Sequence, residues 1–194
     1  GQIIGERNGF ISVCVRASAD GLVKAVETRL GASGAKADAV VLDTTAPVPE
    51  SAAAADAPLL EPLDWKSATK DELLKRVEEA GICGMGGAGF PTNVKLNPPP
   101  GRRCEYLILN GAECEPLLYT DYYILKEELP KVVEGAAIVL QRAGMKKALL
   151  SVKHHTAERL GWQDGQALGS EVFVRTLPDV YPMGDEINLI YEAS

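Results

Sequence analysis

Several things are scarce or missing in this chain of 194 residues, and each absence narrows its chemistry. No apolar stretch approaches the roughly 20 residues needed to span a bilayer. The longest candidates, Val132 to Leu140 and Ala148 to Val152, are interrupted or short, so a water-soluble chain is expected. No run of Lys and Arg is present and the net charge is −7. Neutralising nucleic-acid phosphates needs clustered cations, so a nucleic-acid partner is excluded from the reading. The four cysteines, Cys14, Cys83, Cys104 and Cys114, form no CxxC pair. An iron–sulfur cluster or zinc site draws ligands from such short spacings, so free thiols in packed positions are expected and no metal site is assigned. Only two histidines occur, His154 and His155. Read as the continuation of a strand, they point to opposite faces and do not serve one metal, and no partner for a general base stands near them in sequence. Finally, the chain opens on Gly1 rather than Met and shows no signal-peptide pattern, and a piece of a longer protein is expected.

What is present suits a folded α/β protein. Apolar residues make up 46% of the chain, enough for a real core. Residues 1–43 are rich in β signals. Ile11 to Val15 alternates, Asp20-Gly21 is a hairpin-type turn pair, and Leu22 to Val26 and Ala39 to Leu42 are strand candidates. Residues 44–63 are dominated by Ala and Pro, a composition that buries little and favours an extended linker. From residue 64 to 194 helices alternate with short strands. Thr69 and Glu72 have capping-box spacing ahead of an apolar face of Leu73, Leu74 and Val77, and Gly81 ends that helix. Tyr106 to Leu109 reads as a fully buried strand, and Asp121 to Glu128 and Pro130 to Arg142 as two helices. Ala148 to Val152 and Glu171 to Val174 are further strands, and Gly184 to Glu192 is a closing helix. This order predicts an α/β layer with mostly parallel pairing, preceded by a small β module.

Three segments carry candidate chemistry. The first, Gly81 to Lys95, crowds five glycines into nine residues and closes on Phe90-Pro91-Thr92. A backbone without Cβ atoms can turn its N–H groups toward a phosphate or a ring, and Lys95 adds a positive charge. The loop is no dinucleotide fingerprint, because it follows a helix rather than a strand, and it lacks the Gly-Lys-Ser/Thr of a P-loop. The second, Asn110-Gly111-Ala112-Glu113-Cys114-Glu115-Pro116, leaves the carboxyl end of a strand, where open α/β sheets bind ligands. Asn110 and the carboxylates offer acceptors for ribityl or ribose hydroxyls, and a solvated acidic loop is the plainer alternative. The third is Tyr181-Pro182-Met183-Gly184-Asp185-Glu186, whose acids open the last helix and, taken alone, read as caps.

In this order the three segments resemble the RnfC subunit of the Rnf electron-transport complex. They are more distantly similar to the NADH-oxidising flavoprotein of respiratory complex I, to cobalamin reductases and to the electron-transfer partner of proline reductase. The resemblance covers residues 64–194 well and residues 1–43 more loosely, as that family's barrel-sandwich module. It implies an FMN-binding α/β domain, with Gly84, Gly86, Gly87 and Gly89 as backbone contacts and Lys95 beside the flavin. Asn110, Glu113, Gly184, Asp185 and Glu186 would line the same pocket, and Phe90 and Glu115 would lie nearer a nicotinamide nucleotide. Met85 and Ala112 stand where the complex I flavoproteins carry an arginine and an acid, which places the chain on the Rnf side. By the same resemblance NADH is the donor, and iron–sulfur clusters, where the family has them, lie in sequence beyond this chain. The partners are other members of an electron-transfer complex, and the chain is cytoplasmic, peripheral on the cytoplasmic face of a membrane. Two rival readings remain: a docking module of the same fold without a functional flavin, and a reductase partner acting on a corrinoid or on proline reductase. The β module also resembles a lipoyl-type fold. A carrier presents a lysine at its hairpin tip, however, whereas Ala19-Asp20-Gly21 has none and Lys24 falls inside a strand.

Overall fold

A computed structural model describes residues 1–31, 34–47, 60–85, 88–115 and 117–193. It divides into two compact units, Gly1–Asn97 and Pro98–Ser194. Most of the expected Ala/Pro linker, and Gly86 and Gly87 of the glycine loop, lie outside the described residues.

In the first unit β1 (Ile3–Gly5) pairs antiparallel with β2 (Val15–Arg16), and β3 (Leu22–Leu30) with β4 (Lys36–Asp43). The Asp20-Gly21 pair does not make the hairpin. The chain reverses between β3 and β4, where Gly31 N–H donates to Ala35 O at 2.8 Å. Gly21 serves close packing instead, since a Cβ there would lie 2.7 Å from Asp43 O. The sequence between these two strands, residues 31–35, contains no lysine either. Residues 11–13 form no strand despite their alternation, and Ser12 Oγ donates to Gly9 O at 3.1 Å instead.

The buried centre of this unit is helical. Helix α1 (Lys70–Glu79) starts on the expected capping box. Thr69 Oγ1 accepts from Glu72 N–H, and the Glu72 carboxylate accepts from Thr69 N–H at 2.7 Å. The Thr69 N–H bond first, and then the Thr69 hydroxyl, which also donates to the carboxylate at 2.7 Å, hold the Glu72 carboxyl below its ordinary pKa. Leu73 and Val77 turn inward, and Gly81, at φ +70°, ends the helix in the left-handed conformation. The β1–β2 segment is tied to the end of α1. Arg16 and Cys14 both donate to Glu79 O, and Arg7 pairs with Glu78. A cavity of about 730 Å³ lies between them, lined by Arg7, Cys14, Arg16, Lys75, Glu78 and Glu79 among others.

The second unit is the α/β layer. Its sheet runs β5 (Tyr106–Asn110), β6 (Lys147–Lys153), β8 (Val172–Leu177), β7 (Ala167–Gly169). The first three strands are parallel, and β7 pairs antiparallel with β8. Helix α2 (Thr92–Lys95) belongs to the first unit, whereas α3 (Thr120–Ala143) makes the β5–β6 crossover. Helix α3 is kinked where Glu128 leaves helical geometry (φ −125°, ψ 19°), two residues before Pro130, so it reads as the two expected helices joined end to end. Leu125, Ala136 and Leu140 of α3 pack on Ala148, Leu150, Val152, Val172 and Val174. The opposite face carries a second cluster of Ala112, Leu177, Met183 and Leu189, the last from α5 (Glu186–Ala193).

Three expectations need correcting. Strand β5 is at the sheet edge and only half-buried, with Tyr106 47% exposed, because an apolar run does not distinguish a central strand from an edge one. Strand β7 has no sequence signal. The two histidines do not continue β6 but open a short helix, α4 (His154–Leu160), which covers the α3 side through Ala157.

Candidate functional site

The candidate residues fall in both compact units. In the first unit the glycine segment leaves α1 at Gly81, where a Cβ would come 3.1 Å from both the oxygen and the sulfur of Cys14. The segment then doubles back on itself. Thr92 N–H donates to Ile82 O at 3.0 Å, Cys83 and Pro91 form an antiparallel bridge, and Gly84 N–H donates to Phe90 O at 2.9 Å. The described residues at its tip face solvent: Met85 is 92% exposed, and Gly84, Ala88, Gly89 and Phe90 are also exposed. Gly89 adopts φ +61°. A Cβ on Gly89 would meet nothing within 4 Å, and one on Gly84 only Phe90 backbone at 3.7 Å. Lys95, in α2, is exposed and its ammonium has no partner among the described residues.

In the second unit the two acidic segments meet beyond the carboxyl end of β5. The Asn110 side chain spans them: its Nδ2 donates to Gly184 O at 2.9 Å, and its Oδ1 accepts from Ala112 N–H at 3.1 Å. Gly184 N–H donates to Cys114 Sγ at 2.9 Å. Its missing side chain is what permits this approach, since a Cβ would sit 2.8 Å from that sulfur and closer still to Ala112 O. Gly184 is thus held on three sides by the second segment. Glu113 accepts from Thr120 N–H at 2.5 Å and Asp121 N–H at 3.2 Å, capping α3. Asp185 accepts from Ile187 N–H at 3.2 Å, capping α5. Glu115 and Glu186 are exposed. The Asp121 carboxyl is pushed above its ordinary pKa, mainly by burial and further by the charge of Glu113.

The second unit therefore brings together Asn110, Glu113, Gly184 and Asp185, but with Asn110, Glu113 and Asp185 already bonded within the protein. Spacing alone does not find two residues here. Cys114 ties the segments together, and no polar pattern marks a thiol for that role. His155, for which the sequence offers no neighbouring partner, has one in the fold: its Nδ1 lies 2.6 Å from Asp179 Oδ1, which also accepts from His155 N–H. Burial works to raise the Asp179 pKa, but the His155 hydrogen bonds and the charges of both histidines outweigh it and hold the carboxyl below its ordinary value. Among the described residues no group of three or more His, Cys, Asp or Glu could hold a metal ion, and no helix is long and apolar enough to cross a membrane.

Comparison with known proteins gives these features a context. A family model described as the Nuo51 FMN-binding domain matches residues 77–194, and one described as the RnfC barrel sandwich hybrid domain matches residues 1–46. Three curated relatives are each the component designated C of a multi-subunit complex. That of the Na(+)-translocating ferredoxin:NAD(+) oxidoreductase complex of Acetobacterium woodii is 38% identical over 98% of this chain and 42% of its own length. That of the proton-translocating ferredoxin:NAD(+) oxidoreductase complex of Clostridium ljungdahlii is 34% identical, over 98% and 40%. That of the ion-translocating oxidoreductase complex of Rhodobacter capsulatus is 32% identical, over 98% and 36%. The chain thus spans about two fifths of the length of these curated relatives. With one model covering more than half of it and the other its first strands, the chain belongs to the family of the Nuo51 FMN-binding domain, in the form carried by the RnfC component of Rnf-type complexes.

Proposed function

We propose that the chain is the FMN-binding part of an electron-transfer flavoprotein of the Rnf type. Electrons would come from a reduced nicotinamide nucleotide and pass to iron–sulfur centres elsewhere in a membrane-associated complex. The observation that carries this reading is the set of open glycines. Gly84 has room for a side chain and no positive φ, so among the described residues nothing requires a glycine there. A ligand lying against the backbone would require one. Gly89 and the unpaired Lys95 fit the same role, the first by leaving its N–H accessible and the second by meeting a phosphate.

On this reading the glycine segment and Lys95 hold the phosphate end of FMN. In the second unit Asn110, Cys114 and Gly184 keep the two acidic segments in one arrangement that leaves Glu115 and Glu186 exposed. Bound FMN supplies the chemistry itself, accepting two electrons as a hydride and releasing them one at a time. The protein's contribution is position and electrostatics. The internal bonds of Asn110, Glu113 and Asp185 favour the rival, a docking module that keeps the fold without flavin.

Titration with FMN and FAD, followed by quenching of flavin fluorescence, separates the two. FMN should bind in preference to FAD, because one phosphate cradle is present and no dinucleotide fingerprint. Lys95→Ala should weaken FMN by about 1.5–3 kcal/mol, as expected for a hydrogen bond to a charged group. Absence of binding would favour the docking module, and equal binding of both flavins would count against a single-phosphate cradle.

A further inference from the structure

Residues 117–124, which leave the second acidic segment and enter α3, turn apolar side chains outward. Leu117, Leu118, Tyr119, Tyr123 and Ile124 are all exposed. Leu117 is the extreme case: it is 87% exposed and adopts φ +66°, a left-handed conformation that is strained for a leucine. Leu118 N–H donates to Glu115 O at 3.3 Å, so Leu117 is the third residue of a turn, a position that with this φ favours glycine. Among the described residues the other non-glycines with positive φ, Ser170 and Glu171, are explained by the two-residue hairpin between β7 and β8. A strained residue whose side chain covers almost nothing brings the fold no return, and such strain collects where a surface binds something.

One unpaired charge stands on this surface. The Arg159 guanidinium, from α4, lies 5.1 Å from the Tyr119 ring centre and 5.8 Å from that of Tyr122, and Tyr123 meets Tyr122 edge-on at 5.2 Å. Among the described residues no other arginine lies over an aromatic ring, and Arg159 makes no ion pair, not even with its exposed neighbour Glu158. The other charges along the start of α3 are paired or used: Lys126 pairs with Glu127, Lys131 with Glu128, Glu113 caps the helix and Asp121 is half-buried. A chain of net charge −7 thus presents a cation, stacked on two rings, at an apolar surface. Tyrosine and arginine are the side chains that carry most binding energy at protein interfaces, and a guanidinium already aligned loses little in pairing with a carboxylate. Anionic lipid is a poorer fit, because holding a membrane surface takes a cluster of cations.

We propose that residues 117–124 and Arg159 form a docking surface for another protein of the electron-transfer complex, one that offers an apolar depression edged by an Asp or Glu carboxylate. Arg159 pairs with that carboxylate, and Leu117 and Tyr123 enter the depression. The inference rests on the complex membership proposed above and not on flavin binding.

The test is made in the intact complex. The photoreactive residue p-benzoylphenylalanine replaces Tyr123, and the cross-linked peptide is identified by mass spectrometry. The expected cross-link joins position 123 to an apolar segment of a different subunit that also carries an Asp or Glu. Arg159→Glu should lower its yield by about tenfold or more, as for an interface arginine. Replacing the partner's carboxylate residue with lysine should then restore it. Leu117→Gly should lower the yield while raising the melting temperature, since it relieves the backbone, a combination that a merely structural role does not give. It also decides the matter if Arg159→Glu does not fold. A cross-link to the same polypeptide, to a second copy of it or to lipid overturns the proposal, as does a yield that neither variant changes. Co-migration of the wild-type chain with the complex on a native gel reports membership separately. Without co-migration the reading of complex membership fails and the docking surface with it, whereas co-migration with a misplaced or unaffected cross-link overturns the docking surface alone.

Discussion

Replacing Gly184 with alanine should cost the second unit much of its stability, and the structure says why. The new methyl would lie 2.8 Å from Cys114 Sγ and nearer still to the carbonyl oxygen of Ala112. The Ala112 carbonyl is backbone and cannot swing aside. Ala112 is 3% exposed and its N–H is held by Asn110. The turn must therefore move away, and moving it breaks the bonds to both faces of the Gly184 peptide, from Asn110 Nδ2 and to Cys114 Sγ. Overpacking and the lost bonds together come to about 2–4 kcal/mol. For a unit of this size that is a fall in melting temperature of roughly 10–25 °C. Thermal unfolding followed by circular dichroism measures it. Adding Asn110→Ala to the Gly184→Ala variant should cost little more, because the bond it removes is already broken. A single variant that melts like the wild type, or a double variant whose losses simply add, would show that the turn is not clamped as described.

Gly84→Ala should behave oppositely, leaving the melting temperature unchanged while weakening FMN; a variant that binds FMN normally would remove the main support for a ligand at this loop. Asp121→Asn should raise stability at neutral pH, because the folded-state pKa is raised and the charged form is the disfavoured one. The sign follows from linkage: the native state holds its proton to higher pH than the unfolded chain, so stability falls as pH rises through the window above the ordinary carboxylate value. The gain from Asp121→Asn should fade as the pH is lowered below that window, and a gain independent of pH would assign it to another cause.

Much of the second unit was legible because its signals are local and agree with one another. The strand–helix–strand alternation and the break ahead of Pro130 each follow from one backbone rule, as the capping box at Thr69 and Glu72 does in the first unit. What escaped was set by tertiary contacts. Helix α4 is seven residues long and starts at Lys153 without a side-chain cap, so its only sequence mark is the pair of histidines. The Asp20-Gly21 pair has the composition of a hairpin turn, but its glycine is needed by the approach of Asp43, a contact 22 residues away in sequence. The site shows the same division. Spacing singled out Asn110, Glu113 and Asp185 as groups able to bind a ligand, and it had no means of showing that the protein already uses their side chains.

The glycines make that division physical. At Gly21 and Gly184 the fold itself excludes a side chain, since an added Cβ would press against a backbone carbonyl, and at Gly111 it would lie 3.0 Å from Val152 Cγ1. Such glycines would be required whether or not the protein bound anything. Gly81 is set by its helix-ending conformation and by Cys14. Gly84 is different, having neither a positive φ nor a close neighbour. A residue that costs backbone entropy in the unfolded chain and returns no packing or conformational benefit is a net loss to stability. Such a loss is explained when the open space serves something outside the chain. Within the glycine-rich segment Gly84 is the one described glycine of this kind, and the same openness at Gly135 inside helix α3 shows that it is the setting of Gly84 in an exposed loop, beside Gly89 and Lys95, that points to a ligand.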